Sequence, residues 1–425
     1  MCLIERDMSL ATDKPHRIGA PFQYADRLMR GGKIFTLNPR QEWAEAIGIS
    51  GNLISFVGTN EEGKQYIGPR TNVVDLAGQF LMPGFNDAHI HFAPHMLSLL
   101  GSCGITTAQT ISDVEDLSRY ITLAKRGSLS VRLEVRIPLE RWREFKRCKA
   151  MADETCGMVR IIGLKAYADG MFRHKSAYLI APYVDSNGER GALSTLAANC
   201  TMFDEMLDGA VSVDANVSTH SIGDAGVRFV LDRYERLIMK HHLEDHRLRI
   251  IHASLVSPTD FVRFGDLGLI AEVNPYHAEA IPWLKAILGS ARTRWAFAFR
   301  NLKTNGATLC FGSDYPGPSG KPEFPIYPLL GVRTAVLHPH SDERLTLKEA
   351  LVAYTVAPAW ATNTDVSKGT LEVGKLADLV ILSENPFDVD PAKIASIRVI
   401  ATLVGGKVVF CADVGRQMVV SMSSS

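Results

Sequence analysis

Six residues have side chains and settings that could do chemistry together. His89 and His91 lie in PGFNDAHIHF, Lys165 in VRIIGLKAYADG, His220 in ANVSTHSIGD, His252 in LRIIHA and Asp314 in TLCFGSDYP. Imidazole and carboxylate are the usual ligands of Zn²⁺ and similar borderline divalent ions. The His-x-His spacing puts both rings on one face of a strand. Taken singly, each residue has an ordinary explanation. A polar strand end accounts for the first two, a snorkelling side chain for Lys165, a satisfied core histidine for His220 and His252, and a loop carboxylate for Asp314.

The elements that carry them change that balance. Eight short runs read as strands: DAHIHF, GITTAQT, VRLEVRI, VRIIGLKAY, ANVSTH, LRIIHA, LIAEVNP and TLCFGSD. Amphipathic stretches such as DAGVRFVLDRYERLIMKHH and SPTDFVRFGDL separate most of them. Strands alternating with helices argue for an α/β fold, a parallel (β/α)₈ TIM barrel spanning 81–364. In such a barrel the C-terminal strand ends open into one shared bowl. Four histidines and an aspartate converging there would suit one or two divalent ions. On either side, 24–80 and 365–415 are Gly-punctuated β-rich segments, read as two parts of a small composite β-sandwich. Residues 1–23 read as a lead-in and 416–425 as a tail.

Composition excludes several classes. The 425 residues are 46% hydrophobic and 22% charged, with formal net charge zero, so no basic block points to nucleic acid. There is no apolar run of membrane-spanning length, and the charged opening MCLIERDMSLATDKPHR does not read as a signal peptide. Seven scattered cysteines without CxxC spacing read as reduced thiols, which predicts a cytoplasmic protein. The expected partner is a small-molecule substrate, with room for a homo-oligomer and no membrane.

The ordered motifs PGFNDAHIHF, GITTAQT, LKAYADG, STHSIGD, IIHA, FGSDYP and GTLEVGKLADLVIL together resemble the amidohydrolase superfamily, in its family 3 branch with N-substituted formamide deformylase. The resemblance covers about Ala25 to about Phe410. It implies a metal-bearing barrel beside a sandwich made from both chain ends. It also implies roles: His89, His91 and Asp314 would hold the more buried ion, and His220 and His252 the second. Lys165 would bridge the two as a carboxylated lysine, since desolvation favours the neutral amine that can add CO₂. The metal expected first is Zn²⁺. The implied reaction is hydrolysis of a non-peptide C–N bond by a metal-activated water, with Asp314 carrying the proton. Ester or lactone hydrolysis, decarboxylation, hydration and a non-enzymatic binding role remain alternatives on the same scaffold.

Three departures from the family pattern stand out. Only 13 positions separate His91 from Gly104, where relatives carry a long insertion; one short helix fits and a cap does not. Bulky residues, Met171-Phe172-Arg173-His174, follow Asp169-Gly170. Ile251 precedes His252 where relatives often have Glu, removing an acceptor for a ligand histidine. Candidate substrate contacts are Asp169, His174, Asp224, Asn274, Tyr276 and His277; Asp224 reads more readily as a helix N-cap. His241, His242 and His246 read as a solvated helix end, and Trp295, Phe297 and Phe299 as packing.

Overall fold

The structure, a computed structural model, describes residues 24–184, 186–317 and 322–412. The expected lead-in over 1–23 and the tail over 416–425 lie outside these.

The chain opens with β1 (Arg27–Phe35), β2 (Trp43–Ser50), β3 (Leu53–Gly58), β4 (Asn72–Asp75) and β5 (Phe80–Pro83). Eight parallel strands follow: β6 (Phe85–Ile90), β7 (Ile105–Ile111), β8 (Arg132–Pro138), β9 (Val159–Tyr167), β10 (Val217–Ser221), β11 (Arg249–His252), β12 (Ile270–Val273) and β13 (Thr308–Phe311). Each pairs with the next in sequence, which is barrel order. The chain ends in β14 (Leu379–Leu382), β15 (Val399–Val404) and β16 (Lys407–Cys411).

Each of the eight expected barrel strands is present. The seam between β6 and the segment after β13 is stitched by two backbone hydrogen bonds. Asp314 N donates to His89 O at 2.8 Å, and His91 N to Tyr315 O at 2.8 Å. Gly312 allows this closure: a Cβ there would lie 2.5 Å from His89 N, inside contact distance. The helix Asp224–His241 buries Val227, Val230, Leu231, Tyr234 and Leu237, an i, i+3, i+4 stripe that faces the core.

Both chain ends build one second sheet, in which β5 pairs antiparallel with β14 and parallel with β1. Its first part runs to Pro83, three residues past the expected edge at 80. The FLMPG run passes straight from this sheet into the first barrel strand. Arg132 at the start of β8 ties the two bodies together by gripping Asp378 with both Nε (2.7 Å) and Nη2 (3.0 Å). The link after His91 is one short helix, Leu97–Ser102, docked on the second sheet, as the 13-residue spacing predicts.

Candidate metal centre

His89, His91, Lys165, His220, His252 and Asp314 all line one cavity of about 990 Å³ at the C-terminal mouth of the barrel. Lys165 and His220 lie within β9 and β10, and His252 ends β11. His91 sits just past β6, and Asp314 three residues beyond β13. His252 (φ 71°) and Asp314 (φ 59°) occupy the left-handed region, which is strained for side chains other than glycine and persists where the surroundings over-determine it. For Asp314 that restraint includes its bond to His89 O across the seam.

The imidazole tautomers follow from their partners. His89 Nδ1 is 2.9 Å from Glu272 Oε1; a carboxylate only accepts, so Nδ1 carries the proton and Nε2 presents a lone pair. Asn274 Nδ2 donates to Gly312 O at 3.1 Å, which turns its Oδ1 toward His252 Nδ1 at 2.7 Å. His252 therefore also presents Nε2. His220 Nε2 donates to Gly170 O at 3.2 Å, leaving Nδ1 as its basic nitrogen. Burial first, and then the neighbouring Lys165, pushes His220 down to about 3. Burial and His220 hold His252 well below the ordinary histidine range. Both rings are neutral, the form that binds a metal.

The fit to a cation is tested where lone pairs meet. His89 Nε2 faces Asp314 Oδ1 at 3.3 Å, and His91 Nε2 faces the same oxygen at 3.2 Å. The His89–Asp314 contact joins two acceptors, which repel unless a proton or a cation lies beside them. Ligand atoms bound at 2.0–2.1 Å in a tetrahedron are about 3.3–3.4 Å apart, so the spacing fits. Ligand atoms of His89, His252 and Asp314 all lie within 4.8 Å of one another. These three draw on both ligand sets that the family resemblance implies. Burial alone would raise Asp314, but its close contacts with His89 and His91 outweigh it and hold the carboxyl well below its usual range.

Lys165 is buried, and its Nζ has no hydrogen-bond partner among the described residues; the Tyr167 ring centroid lies 4.9 Å away. It does not snorkel. Burial, opposed by Glu272, pulls its amine down to about 7, so a large neutral fraction exists near neutral pH.

The substrate-contact candidates divide. Asp169, His174, Tyr276 and His277 line the cavity, whereas Asp224 and Asn274 do not. Asn274 lies beneath His252 and takes the place of the acceptor that Ile251 lacks. Asp224 is the first residue of its helix and not the expected N-cap, which is Gly223; its carboxylate accepts from Ile180 N (2.9 Å) and Ala225 N (3.0 Å), tying the preceding loop to the helix start. Asp169 spends both oxygens on the backbone N–H groups of Tyr178, Ile222 and Gly223 at 2.8–2.9 Å, although burial raises its carboxyl to about 7. His277 Nε2 is buried without a partner, 3.8 Å from Asp314 Oδ2. Phe297, read as packing alone, is buried and also forms cavity wall. His241 and His246 are spent on Asp208 (2.8 Å) and Leu267 O (2.9 Å), in line with a helix-end role.

Sequence reasoning missed the layer beneath. Glu272, in the otherwise apolar LIAEV, also accepts from Arg136 (2.6 Å) and Arg249 (3.1 Å), and both arginines bond Gln109 Oε1 at 3.0 and 2.8 Å. Asp87 Oδ1 accepts from His89 N and Ser313 N at 3.1 and 2.9 Å, bracing the loop that carries Asp314. Burial raises its carboxyl to about 6. The available signal was a charge on each of four strands, Asp87 on β6, Arg136 on β8, Arg249 on β11 and Glu272 on β12, all of them buried.

Residues 94–410 match the amidohydrolase family. The chain is 31% identical to Protein LONG AFTER FAR-RED 3 of Arabidopsis thaliana over 72% of this chain and 52% of that protein. It is 28% identical to N-substituted formamide deformylase of Arthrobacter pascens over 51% of this chain and 41% of that protein. The chain thus spans about half the length of the curated relatives it matches. An uncharacterized metal-dependent hydrolase from Pyrococcus furiosus shares the fold, with TM-score 0.73 and 19% identity over 85% of this chain and 100% of that one. Among the described residues, no helix is long and apolar enough to cross a membrane.

Proposed function

The chain belongs to the amidohydrolase family, and from that premise we propose that it is a metal-dependent hydrolase cleaving a non-peptide, amide-type C–N bond in a small molecule. The observation that carries this reading is the convergence on Asp314 Oδ1 of His89 Nε2, left without a proton by the bond of Nδ1 to Glu272, at 3.3 Å and of His91 Nε2 at 3.2 Å. A cation placed among these atoms would relieve the repulsion between His89 Nε2 and Asp314 Oδ1.

His89, His91 and Asp314 would hold the inner ion, and His220 and His252 a second. Lys165, with a substantial neutral fraction near pH 7 because burial pulls its amine down to about 7, would bridge them as a carbamate: its amine nitrogen bonds the carbon of CO₂ and releases one proton. The nitrogen and oxygen donors suit Zn²⁺. When bound, the ion supplies Lewis-acid polarisation of the carbonyl and acidifies water. Asp314 Oδ2 is the oxygen not engaged with His89 and His91; it accepts a proton from the attacking water and returns it to the leaving nitrogen. His277 Nε2, buried and unpartnered beside Asp314, contacts the reacting amide. Glu272 and Asn274 hold His89 and His252 in the ligand tautomers and so act as positioning residues.

Metal analysis tests this reading. Purified protein should carry one to two divalent ions per chain, and chelation should abolish hydrolysis across a panel of amides and esters. The double change His89→Ala with His91→Ala should remove most of the metal. Full occupancy in that variant, or hydrolysis that survives chelation, would overturn the proposal.

A further inference from the structure

Above the metal centre the cavity changes character. Met171, Phe172, Ile222, Trp283, Phe297 and Phe324 form much of its wall. Phe324 packs on the His277 ring at a centroid distance of 4.2 Å, and Trp283 is about half exposed at the rim. A cavity of about 990 Å³ is large enough for a ring-bearing small molecule.

Charge on this wall is already matched. Among the described residues, Arg173 is the one permanently cationic side chain lining the cavity above Lys165, and it pairs with Glu323 at 2.8 Å. Glu279 faces Arg333 at 3.6 Å and Thr334 Oγ1 at 3.3 Å. A substrate bearing a fixed anion would lose hydration against aromatic surface and find its counter-cation engaged. An uncharged ring would lose little water structure and gain apolar burial. The bulky Met171-Phe172-Arg173-His174 run thus supplies two apolar wall residues, the His174 ring and the cation that Glu323 occupies.

Resting on the hydrolase reading above, we propose that the substrate is an uncharged amide carrying an aromatic or similarly bulky apolar group, and that the Arg173–Glu323 pair sets this charge preference. The pair is mostly exposed on the arginine side, 62% against 20% for Glu323, so it contributes little stability. Its effect lies in discrimination, by withholding a cation from anionic competitors.

The test uses a matched pair on the metal-loaded protein: acetanilide and its 4-sulfonate derivative, the sulfonate being a weak metal ligand. Hydrolysis is followed by aniline release and binding by calorimetry. The expected result is a preference for the neutral compound of about tenfold or more in both, falling several-fold in Glu323→Gln, which frees Arg173. In Trp283→Ala, binding of the neutral compound should weaken. Binding with that preference but no hydrolysis would leave this inference standing and count against the amide-hydrolase reading. Equal or better handling of the sulfonate, or no binding of acetanilide at millimolar concentration while other amides are cleaved, would overturn it.

Discussion

His89 Nδ1 lies 2.9 Å from Glu272 Oε1, and the other oxygen of that carboxylate takes Arg136 at 2.6 Å and Arg249 at 3.1 Å. One side chain therefore fixes the orientation of a metal-ligand candidate and pairs with two arginines inside the barrel. Where a TIM barrel ordinarily packs branched apolar side chains, this one has a hydrogen-bonded polar layer in which Glu272 and the neutral Gln109 receive both arginines. The arginines and His89 outweigh burial and drive Glu272 well below the usual carboxylate range.

Glu272→Gln should therefore damage two properties at once. His89 loses its anionic acceptor, and metal affinity should fall by about 10–100-fold. Arg136 and Arg249 lose their counter-charge, and stability should fall by about 3–5 kcal/mol, the scale for breaking a buried ion pair from one side. Metal titration and denaturant unfolding read these separately. Metal affinity within twofold of the wild type would show that Glu272 does not position His89.

Much of the site was legible because the barrel strands end where the chemistry begins. LRIIHA and TLCFGSD show apolar runs closing on a His or Asp, and DAHIHF an alternating His pair, so strand, direction and candidate ligand are legible together. Glu272, Arg136 and Arg249 were missed for the converse reason. A charge inside an apolar strand gives no hint of its partner, and these partners come from strands up to 136 residues apart in sequence. Asn274, near the close of LIAEVNP, and, less readily than as a helix N-cap, Asp224, at the close of STHSIGD, are candidate contacts because of those places in the sequence. Their actual positions depend on the loop path after the strand, which pattern does not encode. The domain edge slipped to Pro83 because FLMPGFNDAHI contains two strands separated by a single glycine.

Lys165→Ala should retain one ion and lose the second, with activity falling alongside it. Short carboxylic acids added to this variant should restore part of the rate by standing in for the carbamate. Wild-type metal stoichiometry and turnover in Lys165→Ala would reduce the lysine to a packing role.

The metal-stripped protein should show a pH signature from the same residue. Its amine is pulled from an unfolded value of 10.5 to about 7 in the fold. Between those values the unfolded chain binds the extra proton, so this group's contribution to stability rises with pH across that window. Below about 7 both states are charged and the full burial penalty is present. Lys165→Met should accordingly stabilise the stripped protein more at pH 6 than at pH 9.5, by thermal unfolding in matched buffers. A difference that is constant with pH would mean that the lysine is not desolvated.

Asp314→Asn tests the central claim most directly, through turnover per bound metal ion. Asparagine keeps the size and one oxygen ligand but cannot accept a proton. If Asp314 shuttles the proton, the variant should keep most of its metal while turnover per ion falls by about 10²-fold or more. Substrate binding should change much less, because the lost interaction belongs to the transition state. Unchanged turnover per bound ion in Asp314→Asn would contradict the account, and loss of metal and activity in strict proportion would leave Asp314 a ligand alone.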